Sequence, residues 1–75
     1  MLEQEDFLTA LGQNINRIRK EKGLSFQELA LEADIEKSNL VKLTSHGTNI
    51  TVLTLNKIAC ALGVEPAELL RFKTN

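Results

Sequence analysis

Ser25–Gly47 reads SFQELALEADIEKSNLVKLTSHG. Ser25, with Glu28 three residues later, forms an S-x-x-E capping box, and the spacing predicts a helix that starts at Phe26. Phe26, Leu29, Ala30 and Ala33 recur at i, i+3, i+4 and i+7, one stripe of an α-helix, and Ala30 is small enough for another helix to cross closely. Asp34 stands where the chain must bend, and Asp tolerates a left-handed backbone better than most residues. A second helix is expected from about Lys37, with Leu40 and Leu43 turned inward and Lys37, Ser38, Asn39 and Lys42 turned outward. Two short helices joined by a tight turn, with a polar outer face on the second, make the layout of a helix-turn-helix.

The flanking segments are helical as well. Phe7, Leu8, Leu11, Ile15 and Ile18 repeat at three- and four-residue steps, which predicts a first helix from about Glu5 to Lys22, stopped by Gly23. Met1 to Gln4 are expected to fray. Acids at the start of this helix and bases at its end suit the helix dipole, a structural reason for the Arg17–Lys22 cluster that coexists with phosphate contact. Beyond the central unit, Thr48–Thr51 form a polar loop and Thr51 is placed to cap a fourth helix. Val52, Leu55, Ile58, Ala59 and Leu62 form its expected apolar face, Cys60 is read as a buried thiol, and Gly63 ends it. Pro66 suits the first position of a short fifth helix, with Leu69 and Leu70 plugging the core from below and either Leu70 or Phe72 left open to exposure.

Seventy-five residues are enough for one small domain, taken as residues 1–75, whose stability depends on good packing or on a partner. At 43% hydrophobic, with no Trp or Tyr and three Phe, the core must be aliphatic. No run approaches the ~18 apolar residues of a membrane span, and no signal peptide opens the chain. A single cysteine excludes an internal disulfide and fits a reducing, cytoplasmic setting. One His, one Cys, no glycine-rich phosphate loop and no paired-acid motif argue against an enzyme, a metal site or any cofactor. The net charge of −1 is low for a nucleic-acid binder, so weak non-specific binding with a shallow salt dependence is expected.

Taken in order, Arg19–Gly23, the Leu29–Ala30 pair, the Asp34–Ile35 turn, Leu40–Gly47, the Leu55–Gly63 helix and Leu69–Leu70 resemble the phage-repressor (XRE-like, Cro/cI-type) helix-turn-helix family. The likeness spans roughly Leu11 to Leu70. It implies an all-α, compact five-helix bundle of the lambda-repressor-like type, with the helix-turn-helix at about residues 25–47. It also implies a sequence-specific regulator of transcription, a repressor or operon controller, that binds double-stranded DNA as a homodimer.

On this resemblance the second helix of the motif enters the major groove, and Lys37, Ser38, Asn39 and Lys42 are the expected base contacts. Their chemistry fits: Lys donates to guanine, Asn pairs with adenine and Ser adapts to either. Phosphate contacts are expected from the backbone amides at Phe26 and Gln27, from Thr48 and Asn49, and from Arg17 and Arg19. Leu70, Arg71 and Phe72 are the expected dimer contact, unless they close the monomer core instead. Glu36 is the expected cap of the recognition helix.

Three departures from the family pattern matter. Thr44 stands where the family has the Glu that pairs with Arg19. Arg19 must therefore find another carboxylate, bond a helix-end carbonyl, or turn outward to solvent or a phosphate, and the outward position is the expectation. Phe26 replaces a phosphate-touching Gln and is expected to pack. His46 occupies the usual glycine position, so either it turns left-handed or the turn moves to Gly47. The low charge and the loss of that Gln keep open a rival reading: a protein-interaction module or antitoxin of the same fold, with weak or no DNA binding. No small-molecule ligand and no membrane partner are expected.

Overall fold

A computed structural model describes residues 3–73, and five helices account for most of them: α1 (Gln4–Glu21), α2 (Phe26–Ala33), α3 (Lys37–His46), α4 (Val52–Leu62) and α5 (Pro66–Leu69). Met1 and Leu2 lie outside the described residues, and Gln4, expected to fray, is the first residue of α1. Each helix sends at least one fully buried side chain to the same centre: Ile15, Leu29, Leu40 and Leu43, Ile58, and Leu69. These are all aliphatic, as the composition demands. Burying one such side chain contributes about 1.5–3 kcal/mol, so the six together organise the bundle.

The chain punctuates itself as read. α1 carries Glu5 and Asp6 in its first turn and Arg19 and Lys20 in its last, and Gly23 follows at φ 73°. The Ser25–Glu28 box closes in both directions, with the Glu28 amide donating to Ser25 Oγ at 3.0 Å and the Ser25 amide donating to Glu28 Oε1 at 2.8 Å. Thr51 accepts from the Thr54 amide at 3.1 Å and so caps α4.

α1 lies across α3, and the crossing is close because of Gly12. A Cβ at that position would overlap the Leu43 carbonyl oxygen, so α1 and α3 approach backbone to backbone there. Gly47 makes a similar approach: a Cβ on it would lie 2.5 Å from the Thr9 amide nitrogen. At the other end, the buried Asn14 amide donates to the Glu68 and Leu69 carbonyls at 2.9 and 3.0 Å, which ties α1 to α5. The Glu68 carbonyl also accepts from the Arg71 amide at 3.2 Å, so it is the Leu69 carbonyl that depends most on Asn14.

Several expectations about α4 and the C-terminus need correction. Val52 is 82% exposed rather than part of the apolar face. It is the first residue of α4, and that turn projects beyond the core that Ile58, Ala59 and Leu62 enter. Cys60 is exposed, not buried: it lies about 200° around the helix from both Ile58 and Leu62, which face inward. Leu69 closes the core, and of the two residues left open to exposure it is Leu70 that is exposed, at 42%. Glu36 occupies the cap position of α3 without making a side-chain capping bond.

Candidate nucleic-acid interface

The interface is built by the turn that aims α3. Asp34 takes φ 56°, ψ 52°, the left-handed conformation read from the sequence. The Ile35 amide then bonds back to the Ala30 carbonyl at 3.0 Å, which seals the end of α2 and redirects the chain. Leu40 and Leu43 anchor α3 in the core at 0% and 2% exposure. Its other side must therefore face away from the bundle, and Lys37, Ser38, Asn39 and Lys42 are all exposed. Among the described residues none of the four makes a side-chain hydrogen bond or an ion pair. Ser45, one heptad beyond Ser38, is also exposed. It extends the stripe by just under one turn beyond Lys42, a placement the i+7 spacing from Ser38 already contained.

A groove of about 400 Å³ runs between α3, the following loop and the start of α4. Asn39 and Lys42 of α3, Thr48 and Asn49 of the loop, and Thr51 and Thr54 at the start of α4 all line it. Two expected base contacts and two expected phosphate contacts thus stand together. His46 ends α3 in helical conformation, and the turn falls on Gly47 at φ 73°. The left-handed position needs a residue without a Cβ, and the Gly47–Thr9 approach needs the same.

Thr44, where a Glu was expected, bonds its own helix: its Oγ1 donates to the Leu40 and Val41 carbonyls at 3.2 Å. Arg19 has not turned outward. Its Nη1 donates to the Leu24 carbonyl at 2.6 Å, Nε and Nη2 donate to Asn16 Oδ1 at 3.0 and 2.8 Å, and its guanidinium carbon lies 4.1 Å from the Phe26 ring centroid. None of the three expected outcomes is met: the carbonyl of Leu24, in the linker between α1 and α2, and the Asn16 side chain took the place of the missing carboxylate. Phe26 packs against the core, and Gln27 beside it is exposed.

Arg17 is occupied as well, with Nη1 2.6 Å from Glu21 Oε2 and with Nε and Nη2 on Asn14 Oδ1. It lies about 140° around α1 from Gly12, the side that meets α3. Its neighbours are instead Gln13, Phe72 and Lys73. Of the C-terminal trio, Arg71 pairs with Glu68 at 3.1 Å, and Phe72 packs on Phe7 with ring centroids 5.2 Å apart, which leaves Leu70 as the exposed apolar member.

Comparison with known proteins agrees with this geometry. Residues 14–75 match the model of the Cro/C1-type HTH DNA-binding domain. The uncharacterized HTH-type transcriptional regulator y4dJ of Sinorhizobium fredii is 38% identical over 64 residues, covering 85% of this chain and 83% of that protein. The restriction-modification controller protein C.AhdI from Aeromonas hydrophila superposes with a TM-score of 0.80 at 32% identity, over 83% of this chain and 94% of the other. The N-terminal DNA binding domain of SinR from Bacillus subtilis gives a TM-score of 0.77 at 38% identity, over 87% and 96% of the two chains. A left-handed turn, a core-anchored α3 with a free polar face and a family match over most of the chain converge: the chain belongs to the Cro/C1-type helix-turn-helix family and is a DNA-binding transcriptional regulator.

Proposed function

We propose that this regulator reads a specific operator by laying α3 in the major groove, with Lys37, Ser38, Asn39 and Lys42 on base edges. The observation that carries this reading is the pairing of a buried apolar face with four exposed polar side chains that have no intramolecular partners among the described residues. The first turn of the helix holds three of them, the part that reaches deepest into a groove in this type of docking. Phosphates are held by the Phe26 and Gln27 amides at the start of α2 and by Thr48 and Asn49 across the groove.

The regulator acts in the cytoplasm as a homodimer, most simply as a repressor or as the controller of its own operon. The likeness to C.AhdI supports the controller role. One copy measures 33 Å along its longest axis, close to the ~34 Å between half-sites one helical turn apart, so two copies set end to end along that axis span such an operator. Leu70 is the apolar centre of the proposed two-fold contact. We assign the chain no enzymatic reaction.

Selection of random duplexes tests the reading. A short palindromic site should be enriched, and Lys37→Ala or Asn39→Ala should cost about 1–3 kcal/mol and relax particular base positions. Absence of any enriched sequence at low salt would favour the rival, an interaction module or antitoxin of the same fold. The engagement of Arg17 and Arg19 in intramolecular bonds is the observation on that rival's side.

A further inference from the structure

We infer that Arg19 is a positioning residue of the DNA interface: it fastens the end of α1 to the first turn of α2 and does not itself meet a phosphate. The inference rests on the DNA-binding reading above and deepens it. Three observations carry it. Each of the three guanidinium nitrogens already donates, two to Asn16 Oδ1 and one to the Leu24 carbonyl. One face of the guanidinium plane is turned to the Phe26 ring, 4.1 Å from its centroid. The two α2-side partners, Leu24 and Phe26, flank Ser25, the residue that caps the helix.

The consequence is mechanical. The Gly23–Leu24 connection is fastened first by its backbone, the Gly23 amide on the Lys20 carbonyl and the Leu24 amide on the Arg19 carbonyl, while Gly23 sits at φ 73° with open space around it. The Arg19 side chain adds a second grip on both sides of the cap and limits how α2 can tilt about that connection. The direction of the Phe26 and Gln27 amides, and with it the register of the whole two-helix unit against the backbone, is then set by α1. This use needs a planar fork that can stack and bond at once. A lysine ammonium at the same place would keep the charge but could neither lie flat on Phe26 nor present the wide planar fork that reaches Asn16 and Leu24 together. Among the described residues Arg19 forms no ion pair, so its charge still adds to the field that draws DNA, whichever role it plays.

That separation of charge from shape defines the experiment. Arg19→Lys, Phe26→Leu and the double variant are titrated with the selected duplex over a series of salt concentrations, after thermal melts verify that each is folded. Backbone ¹⁵N relaxation is measured on the free proteins. Positioning predicts that Arg19→Lys weakens binding by about three- to tenfold, with the slope of log K against log salt unchanged. It predicts that Phe26→Leu costs a similar factor and that the double variant costs no more than either single one. Order parameters of Leu24–Gln27 should fall in Arg19→Lys while those of α3 hold. If Arg19→Lys binds within a factor of about two of the parent, the charge alone sufficed and the positioning role is overturned. Additive losses in the double variant overturn it equally. A parent chain that enriches no duplex removes the DNA reading itself, and the Arg19 role in it falls too; a parent that binds beside an unaffected Arg19→Lys removes the Arg19 role alone.

Discussion

Gly12 helps place the recognition helix without belonging to it. With a hydrogen for a side chain it lets α1 rest on the backbone of α3 at Leu43 and Thr44, so Gly12→Ala drives a methyl group into backbone that has no rotamer to yield. We expect that substitution to lower stability by about 2 kcal/mol or more, read as a fall in the urea midpoint with an unchanged slope. Its role could not be read from the sequence, because a glycine within a helical pattern looks only like a weak point. Asn14 was hidden in the same way. Its spacing from Leu11, Ile15 and Ile18 puts it beside the buried stripe, but the carbonyls it bonds belong to α5, more than fifty positions along the chain. Cys60 is legible in the sequence: the periodicity of Ile58, Ala59 and Leu62 turns it outward, and that helical phase outweighs the general habit of cysteine to be buried.

At the scale of the element, α2 shows how a local device acquires a pH dependence. The Ser25 amide, and after it the Ser25 hydroxyl, bond the Glu28 carboxylate and hold its pKa below the ordinary value of 4.5. In the unfolded chain that partner is gone, so between the lowered value and 4.5 the unfolded state binds more protons. The contribution is therefore complete above pH 4.5 and is lost as the pH falls through the lowered value. Glu28→Gln keeps an oxygen for the Ser25 amide but has no proton to gain. Unfolding free energies of this variant, measured between pH 5 and about 3, should fall less steeply than those of the parent. An identical pH profile would show that the box contributes nothing through its charge. In α4 the apolar pattern was right for the middle of the helix and wrong for its start, because Val52 keeps the period while its turn has run past the packed part of the bundle.

For the whole molecule, charge and assembly decide how DNA is held. With a net charge of −1 and two of its arginines engaged within α1 and α2, one copy has few cations to offer a backbone. Affinity then has to come from pairing two half-sites, and Leu70 is the side chain proposed to do it. Leu70→Glu, an exposed position outside the fully buried core, should leave the fold intact and shift sedimentation toward the monomer. Its affinity for a two-half-site duplex should fall roughly tenfold or more, while binding to a single half-site stays unchanged. Equal losses on both duplexes would place the dimer contact elsewhere, and the exposed Leu31 on α2 and Val52 and Leu53 at the start of α4 are the other apolar candidates.

Local chemistry alone determined the helices, the capping box at Ser25, the left-handed bend at Asp34, the cap at Thr51 and the outward stripe on α3. Each of these is an interaction between residues at most seven positions apart, so period and capping rules reach it. Only the tertiary structure decided that Arg19 folds onto Phe26, that Arg17 faces away from α3, that the turn falls on Gly47 and that Leu70 is left outside while Leu69 is buried. Those outcomes depend on which surfaces α1 and α5 meet once the bundle closes, and a pattern read along one helix carries no information about what lies across from it.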